Sequence, residues 1–165
     1  TEQLTALAAP FTFDELLWRP GPVSKKREPW TTKPLAYIDA RVAMDRLDAI
    51  IGPMNWSNRY AVGSQGGQIC EIGIRDESGE FIFKADGAQN PAIEPFKGGC
   101  SDAFKRACAR WGMGRYLYGM DSPWVPVETY EFNGQTKVRK ITKNGMIELR
   151  NAYDRFLLGR AQRQT

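Results

Sequence analysis

Hydrophobic and polar positions in the middle of the chain follow first a helical and then a strand pattern. Apolar side chains recur every three to four positions in Pro34–Ile51, which predicts a helix with a proline in its first turn and Thr32 as its cap. Alternating apolar residues at 56–62, 68–74 and 81–85 predict three strands, and the turn residues between them predict hairpins. We therefore expect a helix followed by a three-stranded antiparallel meander.

A second helix is predicted within Lys97–Gly119, because its apolar and basic residues fall on opposite faces. Gly98-Gly99 is expected to break the chain before this helix, which leaves Ser101 or Asp102 to cap the first turn. The apolar face carries Phe104, Ala107, Cys108 and Trp111. The basic face carries Lys105, Arg106 and Arg110, with small Ala109 between them. The pattern is typical both of an ordinary helix with a solvated basic face and of a helix that lies against a polyanion.

The two ends of the chain predict additional elements. Before residue 20 the apolar positions indicate a short helix and a second helical or extended piece that ends at Trp18. Asn133-Gly134 between two alternating segments predicts a hairpin with a type I′ turn, and Gly145–Arg163 is expected to be a helix. We therefore expect residues 1–165 to form one α+β domain. Its helix–three-stranded antiparallel sheet–helix core has the element order of double-stranded-RNA-binding domains, with N-terminal and C-terminal extensions.

The composition limits the chemistry of this chain. The 165 residues include no histidine, three cysteines without a C-x-x-C pair, and no G-x-x-x-x-G-K-[ST] loop. These features argue against a disulfide framework, a zinc site, a histidine-based triad and ATP-driven work. We therefore expect no cofactor, and a metal only if carboxylates bind it. Metal-binding carboxylates are the remaining catalytic option, and Asp39 lies too far along the first helix from Asp45 and Asp48 to favour it.

Charge is segregated along the sequence. The net charge is +4, but residues 18–33 carry five basic side chains against one acid, and residues 137–163 carry eight against two. The stretch 71–94 is acidic instead, with six acids against two bases. Such segregation predicts a basic surface, for which a nucleic acid is the natural partner. Lys25-Lys26-Arg27 is interpreted as a solvated loop, with a flexible phosphate clamp as the alternative.

Two long segments carry a resemblance to a known family. LAYIDARVAMDRLDAIIGPMNW (Leu35–Trp56) and SDAFKRACARWGMGRYLYGMD (Ser101–Asp121) resemble the two signature segments of the Rad52/22 single-strand annealing family, in the bacterial and phage branch that includes the DdrA type. The motif order runs from Trp18 to Trp124, which is most of the chain. The resemblance implies a non-enzymatic protein that assembles as a multimeric ring. It also implies that single-stranded DNA lies in a basic groove and is annealed without ATP, in DNA repair and homologous recombination.

The resemblance also implies which residues bind DNA. The family's Lys-Arg pair on the second helix falls on Lys105 and Arg106, and its arginine on the first helix falls on Arg41. A further basic residue of the family corresponds to Ala109, and Arg110 follows one position later. The family's second, outer DNA site lies partly before the second helix, where this chain is shorter, and its candidates here are Lys97 and Lys84.

Several of these residues have a second interpretation. Arg41 is either a phosphate ligand or the ion-pair partner of nearby aspartates. The aromatic residues that follow the basic helix are expected in the core, with base stacking as the alternative: Trp111, Tyr116 and Tyr118.

Two other functions share some of these features. A monomeric duplex-binding domain has the same element order, although such domains usually end near their second helix. A magnesium-dependent nuclease would use acids such as Asp39, Glu71 and Asp86.

The sequence also predicts the setting in which the protein works. No apolar run approaches the ~20 residues of a membrane span, and no charged-then-apolar leader precedes the first element. We expect a cytoplasmic, nucleoid-associated protein of bacterial or phage origin that has no contact with a membrane. Its expected partners are single-stranded DNA, further copies of the same chain in a ring, and a single-strand-binding protein or a recombinase.

Overall fold

The computed structural model describes residues 2–26 and 28–163 and confirms the α+β class. In chain order the elements are α1 (Glu2–Ala8), β1 (Leu16–Arg19), β2 (Val23–Ser24), β3 (Thr31–Thr32), β4 (Leu35–Ile38), α2 (Ala40–Ile50), β5 (Trp56–Val62), β6 (Gln68–Arg75), β7 (Phe81–Ala88), α3 (Pro95–Arg110), β8 (Val125–Phe132), β9 (Gln135–Ile141) and α4 (Lys143–Gln162). They divide into two compact units, one formed by residues 2–11 and Ile38–Tyr118, and the other by the described parts of 12–37 and 119–163.

The first unit contains the predicted meander. β5, β6 and β7 pair antiparallel in sequence order, with Ile72 of β6 opposite both Asn58 and Lys84. Alternate residues of β6 are buried where α3 packs on β6 and β7, and α2 packs against α3. The three-stranded sheet is therefore confirmed, and β7 extends three residues beyond the predicted Ala85.

The helix predicted from Pro34 is shorter than expected at its start. Leu35–Ile38 forms β4, which pairs with β1, and the helix begins only at Ala40. Asp39 is the cap instead of Thr32, because its side chain accepts the Arg41 backbone N–H at 2.8 Å. Thr32 is itself buried in a strand. The predicted cap was therefore wrong.

The helix predicted after Gly98-Gly99 begins before these glycines. α3 starts at Pro95, which occupies the first turn, where a missing N–H costs nothing. A Cβ on Gly98 would lie 2.4 Å from the Pro91 ring, so this glycine permits close packing of the preceding loop on the helix. The predicted break and the predicted caps Ser101 and Asp102 are therefore wrong, since both residues lie inside the helix.

The second unit contains a four-stranded sheet, in the order β2-β3-β8-β9, and α4. The β8–β9 turn has a positive φ at both central residues, 49° at Asn133 and 72° at Gly134, as the predicted type I′ turn requires. Thr142 caps α4 by accepting the Gly145 N–H at 3.1 Å. α4 buries Leu149 and Tyr153, which confirms the C-terminal helix.

The structure also shows the segment before Trp18 and the basic loop that follows β2. α1 confirms the predicted short helix, and the second piece becomes a 3-10 turn, Phe13–Glu15, followed by β1. In the basic loop, Lys25 pairs with Glu28 at 3.5 Å and lies over the Trp30 ring. The Arg27 part of that prediction lies outside the described residues.

The three cysteines are free thiols. Burial raises the pKa of Cys70 to about 11, and hydrogen bonds from Tyr60 and Asn58 only partly offset it. Burial also raises the pKa of Cys108. No helix within residues 2–26 and 28–163 is long and apolar enough to cross a membrane.

Candidate nucleic-acid interface

Helix α3 has one face in the core of the first unit and one face toward solvent. Its buried side chains repeat every three to four positions: Ala103, Phe104, Ala107 and Cys108. The exposed side carries Arg106 and Arg110, which lie one helical turn apart, and half-buried Lys105. The predicted division of this helix into apolar and basic faces is therefore confirmed.

Asp86 on β7 holds both arginines of α3. Its Oδ1 lies 3.4 Å from Arg106 Nε, and its Oδ2 lies 3.0 Å from Arg110 Nε. The Asp86 side chain is 17% exposed, whereas the two arginine side chains are 52% and 60% exposed. Both contacts use Nε, the inner edge of the guanidinium, so these bonds leave the terminal Nη groups available to a ligand.

The surroundings of the Asp86 carboxyl group favour its ionised form. Burial opposes the charge on its carboxyl group, but the Gly87 N–H, the Arg110 hydrogen bond and the charges of both arginines outweigh burial. The pKa of Asp86 therefore lies below its usual value. One half-buried carboxylate thus compensates part of the charge of two exposed guanidinium groups, and the arginine pair with Asp86 keeps a net positive charge.

Two further cations lie at the C-terminal end of α3. Arg115 donates from Nε to the Ala109 carbonyl at 2.7 Å and from Nη2 to the Arg110 carbonyl at 2.8 Å. Lys84 Nζ also reaches the Arg110 carbonyl, at 3.3 Å. Cations are stabilised at this end of a helix, where carbonyl groups have no partner within the helix. The surface around Asp86 is therefore more basic than α3 alone.

The predicted cations Lys105 and Lys97 have acidic neighbours on their own helix or next to it. Lys105 Nζ lies 3.0 Å from Asp102, one turn earlier, and its side chain is only 25% exposed. Lys97 Nζ lies 3.2 Å from Glu94, and both side chains are largely exposed. An exposed pair such as Lys97 with Glu94 contributes little to stability.

Arg41 lies in the first turn of α2 and is exposed. Its backbone N–H is bound by Asp39, while Asp48, one of the two aspartates that follow Arg41 on α2, accepts the indole N–H of Trp56 at 2.6 Å. The neighbouring aspartates Asp39 and Asp48 thus have other roles. The structure brings Arg106 and Arg110 together at Asp86, and it places Lys97 and Arg41 at other positions of the first unit.

The aromatic residues after α3 have different environments. Trp111 is 7% exposed and donates its indole N–H to the Ile72 carbonyl at 3.0 Å, and Tyr116 is buried with its hydroxyl bound by the Phe11 N–H. Both therefore belong to the core, as predicted. Tyr118 is 75% exposed, so the core prediction is wrong for this residue. Tyr118 lies in a 3-10 helix, Arg115–Gly119, in which Tyr116 is the buried residue.

The acids of the nuclease alternative are used as structural partners. Glu71 lies 3.0 Å from Arg59 on the neighbouring strand, Asp39 caps α2, and Asp86 binds the two arginines. In the parts of the chain that the structure describes, no three histidine, cysteine or acidic side chains gather as potential metal ligands.

Sequence reasoning missed Asp86 as a partner of the arginines. The strand was expected to end at Ala85, which left Asp86 in a loop. In the structure Asp86 continues the strand opposite Cys70, on the side of the sheet that α3 covers. The available signal was the alternation of Ile82, Lys84 and Asp86, which places all three on that side.

Comparison with known proteins supplies the family. The model of the Rad52/22 family of double-strand break repair proteins matches residues 69–137. A protein named "Single-stranded DNA-binding protein DdrA" from Deinococcus deserti is 36% identical over 126 residues, which are 72% of this chain and 58% of that protein. The protein of the same name from Deinococcus radiodurans is 33% identical over 126 residues, which are 72% of this chain and 56% of that protein.

This chain belongs to the Rad52/22 family, in its DdrA-like branch. The family match begins in β6 and ends in β9, so it includes α3 and Asp86 with its two arginines. The chain spans somewhat more than half the length of its DdrA relatives, 58% and 56%. The family predicted from the two signature segments is confirmed.

Proposed function

We propose that this Rad52/22 protein binds single-stranded DNA and anneals complementary strands without ATP, as a multimeric ring, in recombination or double-strand-break repair. Its proposed DNA-binding residues are Lys105, Arg106, Arg41, Arg110 and Lys97. Its proposed partners are the DNA strand and further copies of the same chain, with a single-strand-binding protein or a recombinase as additional candidates. We propose that residues 1–165 work as one DNA-binding and annealing domain.

The arginine pair on α3 is the observation that carries this proposal. Arg106 and Arg110 are one turn apart, about 6 Å along the helix axis, and both are held by Asp86 through their inner edge. Two guanidinium groups fixed in this way lose little side-chain freedom when they bind phosphates. Phosphates are present in every sequence, so the site supports sequence-independent, salt-sensitive binding.

Annealing requires that bases stay accessible while the strand is held. Contacts to phosphates fix a strand without occupying its base edges. A rigid helix with cations on its exposed face is suited to this task, and Lys105 and Arg41 extend the basic surface of the first unit. The names of the two DdrA relatives, both single-stranded DNA-binding proteins, support the same class of ligand.

The edges of the three-stranded sheet support assembly. β5 and β7 each pair only with β6 within the part of the chain that the structure describes, so each leaves one edge open. An edge strand is a template for pairing with another chain. A contact between two different edges of neighbouring copies would be head-to-tail, which closes into a ring if the rotation allows it.

The solution mass tests the assembly, and strand annealing tests the activity. We expect light scattering to give a defined multimer many times the 18.6 kDa chain mass, with and without an oligothymidine strand. We also expect complementary labelled strands to anneal faster with the protein, in buffer with EDTA and no ATP. A monomer that prefers duplex would favour the duplex-binding alternative. Magnesium-dependent cleavage of the strand, lost on Asp39→Asn or Glu71→Gln, would favour the nuclease.

A further inference from the structure

We propose that the outer face of the β8–β9 hairpin is a second contact surface for single-stranded nucleic acid, where Tyr130 and Phe132 stack on unpaired bases and Lys137 and Arg139 bind phosphates. We call these four residues the hairpin platform. The inference rests on the proposed function for its class of ligand, but on residues of the other compact unit and on different observations.

The four residues share one face of the hairpin. Tyr130 is directly opposite Lys137, and Phe132 is opposite Gln135. The register shifts by one residue between Glu128 and Thr129, because Glu128 pairs with Lys140 and Thr129 with Val138. Arg139 is the extra residue of this bulge and points its charge toward the same group of side chains.

At the base of the hairpin, the other face of the same strands lies in the core of the second unit. Val125 and Val127 are buried, and Val138 and Ile141 are half-buried. α4 packs on β8 so closely that a Cβ on Gly145 would lie 2.9 Å from the Pro126 carbonyl oxygen. The hairpin is thus fixed at its base, and the platform lies between this base and the type I′ turn at the tip.

Both aromatic rings of the platform are accessible. Tyr130 is 39% exposed and Phe132 is 53% exposed. Each has a cation near its ring, since Lys137 Nζ lies 4.9 Å from the Phe132 centroid and Arg139 Cζ lies 5.7 Å from the Tyr130 centroid. Ring and cation together match a nucleotide, because a base stacks on an aromatic ring while its phosphate pairs with the cation.

The charge around the platform favours a polyanion. Of the two acids on the hairpin, Glu128 pairs with Lys140 at 3.5 Å, and Glu131 accepts a hydrogen bond from Thr136 on the face away from the platform. The hairpin itself carries three basic side chains, Lys137, Arg139 and Lys140, against these two acids. Base pairs in a duplex are stacked inside the helix, so two exposed rings select a strand with unpaired bases.

The experiment measures binding of the full chain to oligothymidine and to an abasic strand of the same length. We expect Tyr130→Leu with Phe132→Leu to weaken oligothymidine binding about thirtyfold or more, since stacking contributes roughly 1–3 kcal/mol per base and both rings are removed. The salt dependence should not change, because the rings contact no phosphate. Binding of the abasic strand should be the same for the parent and this variant. The leucine residues keep apolar side chains in the strand, and an unchanged circular dichroism spectrum verifies folding.

A matched pair of charge variants separates phosphate contacts from general attraction. Lys137→Ala with Arg139→Ala should reduce the slope of log affinity against log salt by about 1.4, or roughly 0.7 per phosphate contact on a single strand. Lys143→Ala with Arg155→Ala removes the same charge from exposed positions on α4 and should reduce it much less. Equal reductions of the salt slope by the two pairs of substitutions would contradict the proposed phosphate contacts of the hairpin platform.

The outcomes also distinguish this inference from the proposed function. If the parent does not bind oligothymidine, both fail. If the parent binds and the platform variants bind equally well, only the platform fails. Binding to anionic phospholipid vesicles that disappears in the leucine variant, with DNA binding unchanged, would replace the nucleic acid by a membrane surface and overturn the inference.

Discussion

Arg110 of α3 donates its Nε–H to Asp86 of β7 across 3.0 Å. Arg106 shares the same carboxylate from one helical turn earlier, at 3.4 Å. Asp86 therefore connects the helix to the sheet and fixes the two side chains on which the proposed DNA contact depends. A residue in an acidic stretch thus supports a basic surface.

Replacing this carboxylate tests the connection. We expect Asp86→Asn to lower the free energy of unfolding by about 1 kcal/mol at pH 7, because hydrogen bonds to a charged partner are lost at a half-open site. The folded pKa of Asp86 is depressed. The stabilisation is therefore fully present above its unfolded pKa, about 3.9, and is lost as the pH falls through the folded value.

Urea denaturation at several pH values measures this difference. The parent and Asp86→Asn should differ by a constant amount between about pH 5 and 8, and the difference should shrink below about pH 4. Asp45→Asn, which removes an exposed acid on α2, serves as the control for charge alone. A difference that persists at low pH would show that Asp86 acts through packing instead of its charge.

The cations of α3 are tested by DNA binding. We expect Lys105→Ala with Arg106→Ala to weaken binding to a single-stranded oligonucleotide and to reduce its salt slope by about 1.4, which corresponds to two phosphate contacts. The assembly should be unchanged, because the substitutions leave the buried face of α3 intact. Fluorescence anisotropy across a salt series measures the slope, and light scattering measures the assembly. Parent-like affinity at moderate salt would mean that α3 is not the DNA-binding helix.

Trp111 is expected to matter for stability. Its ring is buried under Lys84, whose Nζ lies 4.3 Å from the ring centroid, and its N–H satisfies the Ile72 carbonyl. Trp111→Ala should therefore cost roughly 3–5 kcal/mol, because it leaves a large cavity and an unpaired carbonyl. Chemical denaturation measures the cost, and Tyr118→Ala, at an exposed position, is the control. A stable Trp111→Ala variant with weak DNA binding would instead make Trp111 a stacking residue.

Local sequence signals predicted the elements that local chemistry determines. Asn133-Gly134 identified its hairpin because both residues tolerate the positive φ that the turn needs. The face of α3 followed from helical periodicity, and Trp111 was correctly expected in the core. These features depend on residues that are close together in the sequence.

The errors arose where a distant contact decides the conformation. Leu35–Ile38 has apolar residues that fit a helix as well as a strand, and its pairing with β1 makes it a strand. Gly98 looked like a helix breaker, but the close approach of Pro91 requires a glycine there inside the helix. The Asp86 contacts bridge 20 and 24 positions of sequence, so no periodicity of either segment alone reveals them.

The packing of α4 on β8 gives a prediction with an internal control. Gly145 and Gly159 both lie in α4, and replacing glycine by alanine in a helix normally stabilises it by up to about 1 kcal/mol. A Cβ at Gly159 meets no atom within 4 Å, so Gly159→Ala should show this gain. A Cβ at Gly145 would lie 2.7 Å from Ile141 Cγ2 and 2.9 Å from the Pro126 carbonyl oxygen. We therefore expect Gly145→Ala to destabilise the protein by about 1–3 kcal/mol, because the helix must move off the strand. Urea titration of the two variants measures the change in the free energy of unfolding for each. A stabilising Gly145→Ala would show that α4 does not pack on β8 this closely.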